Sequence, residues 1–236
     1  MWAVYKKEVE EKDVAVGDSF LLREEDFHHL VVVCRLKEKD EFLLLNGRNL
    51  RLTLEIQDVG KKKGVSVIKK KEVLLREDCF VDLLVGTPKK ETQEIIIKSA
   101  VEMGVRSLFF CESDYSAKKM TLKDHRLESL IQSAMVQSNN PFAPHISYVK
   151  KEEIDFSSYD EVLFFSEKKK RESSLSEDKK IKKTLIVIGP EGGHSQEEIS
   201  FYEEMNHAQY IHLPTPILKV ETAVIAALGG YFFKKM

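Results

Sequence analysis

The sequence predicts two domains, a small β-barrel-like domain over residues 1–72 and an α/β domain with a parallel sheet over residues 73–236. The chain of 236 residues is long enough to bury two hydrophobic cores. Short apolar runs separated by turn signals fill its first third, and apolar runs that alternate with helical patterns follow. The change of pattern lies in a charged stretch near residues 69–78.

The turn signals of the first domain indicate short antiparallel strands. Val16-Gly17-Asp18 is one such signal, and Asn46-Gly47-Arg48 is a strong hairpin signal because Asn and Gly tolerate a positive φ. We therefore predict strands at residues 20–22, 30–33, 41–45, 50–56 and 64–68.

The second domain is predicted from strands that alternate with helices, the pattern of a parallel α/β sheet. Helical spacing predicts a helix over residues 92–103 that ends at Gly104. A second helix carries its apolar residues on one face, at Leu127, Leu130, Ile131, Ala134 and Met135. Strands are predicted at residues 80–85, 105–111, 161–165, 184–188 and 209–213.

The last predicted helix, over residues 221–233, has no polar face in its middle, where Ala223-Val224-Ile225-Ala226-Ala227-Leu228 stands. A helix that is apolar all round must be covered on all sides. It is therefore either central in the core or covered by a second copy of the chain, and we favour a homodimer.

Composition and charge are those of a folded protein without a global affinity for nucleic acid. Hydrophobic residues make up 42% and charged residues 32% of the chain, as in soluble globular domains. With 37 basic and 39 acidic residues the net charge is −2, so any RNA site must be a local patch. Basic clusters occur at residues 61–63, 69–71 and 168–171, and each is either such a patch or a solvated loop.

The cysteines and the apolar runs bear on compartment and metal content. Cys34, Cys79 and Cys111 lie far apart without a C-x-x-C pair, which argues against a disulfide framework and a zinc site. The first residues lack the apolar core of a signal peptide, and no run approaches the roughly 18 apolar residues of a membrane span. We expect a cytoplasmic protein with no membrane association and no metal.

The most informative segment joins the strand predicted at 184–188 to the next helix and reads Gly189-Pro190-Glu191-Gly192-Gly193-His194-Ser195-Gln196-Glu197-Glu198. Its glycines allow a ligand to approach the backbone closely, and Ser195 with Glu198 predicts a capping box. The junction lies at the carboxyl end of the sheet, where α/β folds bind ligands. It matches neither a dinucleotide fingerprint nor a Walker loop, and a capped turn without a ligand remains the alternative.

A second segment follows the strand predicted at 209–213 and reads Leu213-Pro214-Thr215-Pro216-Ile217-Leu218-Lys219-Val220-Glu221-Thr222-Ala223. Its two prolines stiffen the connection to the last helix. Lys219 and Glu221 stand just before the apolar part of that helix, where an ion pair, a helix cap or a functional site would each account for them.

Together these segments resemble the RsmE-type family, bacterial methyltransferases that modify N3 of a uridine in small-subunit ribosomal RNA. The two strongest matches are residues 188–193 and 217–223. Further matches in chain order extend the resemblance over most of the chain: His29, Val33-Cys34-Arg35-Leu36, Lys98-Ser99-Ala100-Val101-Glu102-Met103-Gly104-Val105, and Gln137-Ser138 with Pro144.

The resemblance implies a PUA-like β-barrel followed by a SPOUT domain, an α/β fold with a trefoil knot near its C-terminus. Topology rules argue against a knot, so this expectation rests on the resemblance alone. It also implies a homodimer and the methyl donor S-adenosyl-L-methionine. The residues implied to hold the donor are Ser166, Glu167, Ile188, Gly189, Pro190, Glu191, Gly192, Gly193, Leu213, Pro214, Ile217 and Leu218.

Two residues are predicted to act on the target base. Uridine N3 is a weak nucleophile while it is protonated, so we predict that Glu221 lowers the cost of removing this proton. Lys219 would stabilise the charge that develops on the uracil oxygens. Contacts to RNA are predicted at His29, Arg35, Arg48, Arg51, Lys61, Lys62, Lys63, Tyr115 and Asn140.

The sequence departs from the family pattern at several positions. Lys219-Val220 stands where the family usually has Arg-Thr, Asn140 where it has Arg, and Pro214 where it has Gly, and residues 112–116 lack an Arg beside their Ser. Arginine binds phosphate through a planar fork of donors, which Lys, Asn and Tyr cannot reproduce. Two alternatives therefore remain: an RNA-binding protein that keeps the methyltransferase fold without transfer activity, and a SPOUT methyltransferase with a different RNA target.

Overall fold

The computed structural model describes residues 1–76, 81–116, 121–167 and 183–235. Contacts divide the chain into two compact units, one of residues 1–76 with 131–143 and the other of residues 77–130 with 144–236. Cys79, the predicted start of a strand at residue 80 and the basic cluster at 168–171 lie outside the described residues.

The first unit is built on a curled five-stranded sheet in the order β1-β3-β4-β5-β2. β1 runs parallel to β3, and the other pairs are antiparallel. The pairing of β4 with β5 shifts register twice, between Thr53 and Leu54 and between Ile56 and Asp58, and such irregularities bend a sheet. The strands are β1 (Ala3–Tyr5), β2 (Ser19–Arg23), β3 (Glu41–Leu45), β4 (Leu50–Val59) and β5 (Lys63–Val73). The predictions at 20–22, 41–45, 50–56 and 64–68 are therefore confirmed, whereas β1 was not predicted.

The strand predicted at residues 30–33 is wrong. A short helix α1 (Glu24–Phe27) continues into a π-helix over His28–Val33. Phe27 and Leu30 are buried at helical spacing, while Val32 and Val33 are exposed. The run of β-branched residues favours a strand locally, but the packing of Leu30 into the core decides for a helix.

The predicted hairpin turn at Asn46-Gly47-Arg48 joins β3 to β4. Gly47 has φ +81°, and the Asn46 side chain accepts hydrogen bonds from the backbone N–H groups of Arg48, Asn49 and Leu50. The buried Asn46 amide therefore replaces the backbone partners that the turn lacks.

The second unit contains a six-stranded sheet in the order β11-β9-β10-β6-β7-β8, in which every pair is parallel. Its strands are β6 (Val81–Gly86), β7 (Ser107–Cys111), β8 (His145–Val149), β9 (Glu161–Phe165), β10 (Thr184–Ile188) and β11 (Ala208–Ile211). The predicted parallel α/β sheet is confirmed, although β8 was not predicted. From β6 the chain adds β7 and β8 on one side, and the later strands lie on the other side. The sheet therefore has a switch point between β6 and β10.

The main helices are α2 (Lys90–Glu102), α3 (Asp124–Ser138), α4 (Gln196–Glu203) and α5 (Val220–Lys235). Gly104 ends α2 with φ +73°, as predicted. α5 packs against β10 and α2 and buries Val224 and Leu228, but Ile225 is 46% exposed and Phe233 is 79% exposed. The alternative in which this helix is central in the core is therefore wrong. Among the described helices, none has the length and apolar content needed to cross a membrane.

Buried polar groups lie at the amino ends of the parallel strands. The Asp82 carboxylate is 2% exposed and accepts hydrogen bonds from the Arg106 guanidinium (Nε, 3.0 Å) and the Tyr159 hydroxyl (2.9 Å). Thr184 donates to the buried Glu161 carboxylate over 3.3 Å. These bonds give buried charges partners at this edge of the sheet and leave the carboxyl ends of the strands for a site.

Candidate active site

A cavity of about 640 Å³ opens at the carboxyl ends of the neighbouring strands β11, β9 and β10. Its walls are the loops that follow these three strands, together with the first turns of α2 and α5. The volume lies within the range of about 300–1,000 Å³ that is typical of ligand pockets. The cavity therefore lies where parallel α/β sheets bind their ligands.

The structure brings together most residues that were predicted to hold a methyl donor. The cavity is lined by Ser166, Glu167, Ile188, Gly189, Pro190, Glu191, Gly192, Gly193, Leu213, Ile217 and Leu218. Pro214 is exposed on the same loop and is not among the lining residues. Lys219 and Glu221, the predicted catalytic pair, also line the cavity. Donor binding by these residues stays a prediction.

Glycine is required in the loop after β10 because the loop folds back on itself. A Cβ on Gly189 would lie 2.9 Å from the carbonyl carbon of Gly193. Gly193 has φ +71° and donates its N–H to the Pro190 carbonyl over 2.8 Å. A Cβ on Gly193 would meet the Glu167 carboxylate at 3.0 Å, so the loops after β9 and β10 are in close contact.

Glu191 ties this loop to the start of α2. One of its carboxylate oxygens accepts the backbone N–H of Lys89 over 3.2 Å. Lys89 is the N-cap residue of α2 and provides no side-chain cap itself. The carboxylate therefore satisfies a free N–H and complements the positive end of the helix dipole.

The predicted capping box at the start of α4 is confirmed. Glu198 N–H donates to the Ser195 hydroxyl over 3.1 Å, and Ser195 N–H donates to the Glu198 carboxylate over 2.9 Å. Burial raises the pKa of Glu198, but the His194 imidazole, with its Nδ1 3.8 Å from the carboxylate, and hydrogen bonds from the Ser195 and Asp114 backbone N–H groups outweigh this effect. The pKa of Glu198 therefore falls below its ordinary value. The charged Glu198 thus fixes the loop after β10 and holds residues 112–116.

The lining residues that the sequence analysis missed include Lys89, Thr92, His194 and His212. Lys89 and Thr92 follow β6 at a junction from strand to helix, the same signal that identified the loop after β10. The His212 imidazole lies 3.3 Å from the Ser166 carbonyl, which links the loops after β11 and β9. In the described part of the chain, no group of three or more His, Cys, Asp or Glu side chains could hold a metal ion.

The predicted catalytic residues flank the start of α5. Glu221 is half-buried in the first turn of the helix, and Lys219 is exposed just before it. The Lys219 carbonyl accepts the N–H of Ala223 over 2.8 Å, so the backbone at this position already belongs to the helical pattern. A carboxylate and an ammonium group therefore stand on one wall of the cavity.

Tyr115 lies beside the loop after β10 and is 57% exposed. A Cβ on Gly192 would lie 2.7 Å from the Tyr115 Cβ and 3.2 Å from its Cγ, so the tyrosine packs directly on this glycine. Asn140, which belongs to the first unit, accepts the Phe142 N–H through its side-chain oxygen over 3.0 Å.

The arginines and lysines predicted to bind RNA in the first unit differ in their surroundings. Arg48 pairs with Glu10 at 2.8 Å, and Arg51 donates twice to Glu72, over 3.1 and 3.2 Å. Hydrogen bonds from Arg51 and Lys70 lower the pKa of Glu72 to about 2. The lysines at residues 61–63 are exposed around the turn between β4 and β5.

The remaining two predicted RNA contacts lie in and after the π-helix. His29 is half-buried, and Arg35 is exposed with φ +59°, a left-handed backbone conformation that is uncommon for a residue with a side chain. Cys34 lies between them in the sequence and contacts His29, since its Sγ is 3.8 Å from the His29 Nε2.

Comparison with known proteins decides the family. A model described as the RNA methyltransferase domain matches residues 76–230, more than half of the chain. The chain belongs to this family. A second model, described as the RNA methyltransferase PUA domain, matches residues 22–76.

Relatives and solved structures agree with this assignment. Ribosomal RNA small subunit methyltransferase E 2 of Borreliella burgdorferi is 27% identical over 218 residues, which cover 89% of this chain and 88% of the relative. The methyltransferase E of Bacillus subtilis is 23% identical and covers 98% and 96% of the two chains. A crystal structure of methyltransferase E from Neisseria gonorrhoeae, bound to S-adenosyl methionine, superposes with a TM-score of 0.79 at 19% identity and covers 99% and 97%.

The comparisons confirm the predicted family and the predicted fold class, a SPOUT-type parallel sheet with a PUA-like N-terminal domain. They also confirm the prediction of an RNA methyltransferase. The trefoil knot stays a prediction.

Proposed function

We propose that this RNA methyltransferase transfers the methyl group of S-adenosyl-L-methionine to N3 of a uridine in small-subunit ribosomal RNA. The observation that carries the proposal is the convergence of the Gly189 loop and the Ile217 loop on one cavity. The names of the relatives from Borreliella burgdorferi and Bacillus subtilis support the choice of RNA.

The lining of the cavity suits this donor. S-adenosyl-L-methionine combines a flat adenine, a charged amino-acid end and a positively charged sulfur. Ile188 and Leu218 offer apolar surface for the adenine, and the glycines after β10 allow close contact with the backbone. The carboxylates of Glu167 and Glu221 line the same space and complement a positive ligand.

The reaction requires little covalent help from the protein. When bound, the donor supplies a methyl group on a positively charged sulfur, which the N3 lone pair attacks as the carbon–sulfur bond breaks. The residues of the chain must hold the base in line and exclude water, and positioning supplies most of the acceleration. The closely packed loops after β9, β10 and β11 provide the rigid frame for this task.

The N3 proton is the remaining obstacle, and the pair at the start of α5 addresses it. In this proposal the Glu221 carboxylate accepts the proton, since N3 attacks only after the proton leaves. The Lys219 ammonium stabilises the negative charge on the neighbouring uracil oxygens. Both side chains line the cavity, so neither needs to move from another part of the unit.

The target base must leave its stack to enter the cavity, and this unstacking costs roughly a few kcal/mol. Tyr115 offers an exposed ring beside the loop after β10, and stacking on an aromatic ring stabilises a base by about 1–3 kcal/mol. In the first unit, the lysines at residues 61–63 and Arg35 would contact phosphates.

The exposed apolar side of α5 supports a homodimer. Ile225 and Phe233 are exposed on this helix, and Ile217 on the preceding loop is 86% exposed. A second copy that covers these side chains would remove them from water, as the composition of the helix predicts. Sedimentation of the wild type and of Phe233→Glu tests this: a monomeric wild type contradicts it. Action on ribosomal RNA would place the protein in the cytoplasm.

The decisive experiment measures methyl transfer to small-subunit RNA, free and in assembled subunits, prepared from cells that lack the protein. Mass spectrometry of the digested RNA should detect N3-methyluridine after incubation with the enzyme and donor. Donor binding without methylation of any RNA would favour the RNA-binding alternative. Methylation at another atom or in another RNA would favour the alternative target.

The role of Glu221 is tested under single-turnover conditions with Glu221→Gln. We expect a rate at least tenfold below wild type with donor affinity retained, because general base catalysis typically contributes about 10²–10⁴-fold. Glu197→Gln is the matched control, since Glu197 is an exposed carboxylate in the first turn of α4. A Glu221→Gln enzyme as fast as the control would remove the proposed role.

A further inference from the structure

Trp2 is an exposed aromatic side chain held in a fixed position in the first unit. It is the one tryptophan of the chain and is 52% exposed. Its carbonyl accepts the Leu43 N–H over 2.8 Å, and the next residue, Ala3, is paired with Leu43 in the ladder of β1 and β3. The indole therefore starts from an anchored backbone and is not part of a loose terminus.

The π-helix provides the neighbours of this indole. The His29 ring meets it edge to face, with ring centroids 6.3 Å apart. Val32 and Val33 of the same helix are 54% and 59% exposed. Exposed apolar side chains on the short helix that contacts an exposed aromatic ring are typical of an interaction site.

A cationic residue follows the cysteine that contacts this aromatic pair. Cys34 touches His29, with its Sγ 3.8 Å from the His29 Nε2, and Arg35 follows directly. Arg35 is exposed and has no carboxylate partner among the described residues, in contrast to Arg48 and Arg51. Its left-handed backbone, φ +59°, is strained for a residue with a side chain, and such strain persists only where the surrounding structure enforces it.

An exposed indole and an unpaired guanidinium, linked through His29 and Cys34, offer the chemistry that recognises an unpaired nucleotide. The ring stacks on the face of a base, and the guanidinium binds phosphate through a planar fork. We propose that Trp2, with His29 and Arg35, forms a second RNA contact that stacks an unpaired base other than the methylated one. This inference rests on the proposed function because it takes RNA as the ligand.

Charge favours RNA over a protein partner at this place. Arg35, Lys37 and Lys39 are exposed on the loop that follows the π-helix. The loop also carries the carboxylates of Glu38 and Asp40, so its cations outnumber its carboxylates by three to two. These cations can bind a polyanion such as RNA. An apolar protein surface would leave them without partners.

The single tryptophan allows a direct test by fluorescence. A single-stranded oligouridylate of about ten nucleotides should quench Trp2 emission in a saturable way, because a stacked base lies against the indole. An RNA duplex with the same number of phosphates should quench much less, since its bases are already stacked. Equal quenching by both would overturn the proposal.

Variants then measure the contribution of the ring to binding of a labelled oligouridylate. Trp2→Ala should weaken binding about 5–150-fold, the range expected for the loss of one stacked base. Trp2→Phe keeps an aromatic face and should stay within about threefold of wild type. Leu75→Ala removes a side chain that is 69% exposed in the same unit and is the control. Binding by Trp2→Ala that equals the control, with thermal unfolding unchanged, would refute the stacking role.

Methyl transfer separates this inference from the proposed function. Trp2→Ala should raise the KM for RNA and leave kcat unchanged, because the contact is present equally in the ground state and the transition state. Absence of methylation by the wild type would instead refute the proposed function, while the fluorescence result would stand. Trp2 emission that changes with protein concentration in the absence of RNA would indicate a second copy on this surface and would overturn the inference.

Discussion

Gly189→Ala probes the folded-back loop on which the cavity depends. The added Cβ would lie 2.9 Å from the carbonyl carbon of Gly193, whereas ordinary contact begins at 3.4 Å, so the loop must shift by about 0.5 Å. Overpacking of this kind costs about 1–3 kcal/mol. Because the loop forms a wall of the cavity, we expect donor affinity to fall about 5–150-fold if most of this cost appears in the bound state.

Calorimetry with S-adenosyl-L-methionine measures this effect, and thermal unfolding measures the part of the cost that falls on stability. Leu75→Ala is the control, since Leu75 is 69% exposed and belongs to the first unit. This control should bind the donor like wild type. A Gly189→Ala protein whose Kd lies within twofold of wild type would refute the assignment of the cavity.

Three further predictions concern stability and RNA binding. Asp82→Ala should lower the free energy of unfolding by about 3 kcal/mol in denaturant titrations, since it removes the buried carboxylate to which Tyr159 and Arg106 donate, while donor affinity stays unchanged. The pKa of Glu72 is lowered to about 2, so its stabilisation is complete above its ordinary value of 4.5 and is lost as the pH falls towards 2. The free energies of unfolding of wild type and Glu72→Gln should therefore converge between these pH values. Above pH 5 they should differ by about 1 kcal/mol or less because the pair is near the surface. Replacing the lysines at 61–63 by Gln should reduce the salt slope of RNA binding by about 0.7–0.9 per lost contact, whereas the same change at 69–71, where side chains already have partners in the protein, should reduce it less. An unchanged slope at 61–63 would remove these lysines from the RNA site.

The sequence predicted the central strands well and the marginal elements poorly. Residues 162–165 and 185–188 are continuous apolar runs that are buried on both faces, and β9 and β10 occupy the predicted ranges 161–165 and 184–188. β8 (His145–Val149) is an edge strand whose residues are exposed or half-buried, so it carries no clear pattern. At residues 30–33 the β-branched run predicts a strand, but these residues belong to the π-helix over His28–Val33.

The site could be predicted only where one local segment contributes several residues. Glycines after a buried strand are visible in the sequence, and they led to the loop after β10. Thr92 and His212 reach the cavity through the sheet order, which the sequence alone does not show. The partners of Arg48 and Arg51, Glu10 and Glu72, lie 38 and 21 residues away, so the ion pairs could not be read from local pattern.

The walls of the cavity are the loops that follow three adjacent strands. Its shape depends on a few glycines more than on the chemistry of individual side chains. Replacement of Tyr115, which packs on Gly192 and is not among the residues that line the cavity, can thus alter which nucleotide is admitted and leave the donor compartment intact. Cofactor retention and target choice are separately adjustable in such an architecture, so an enzyme of this design can change its substrate during evolution without first losing its methyl source.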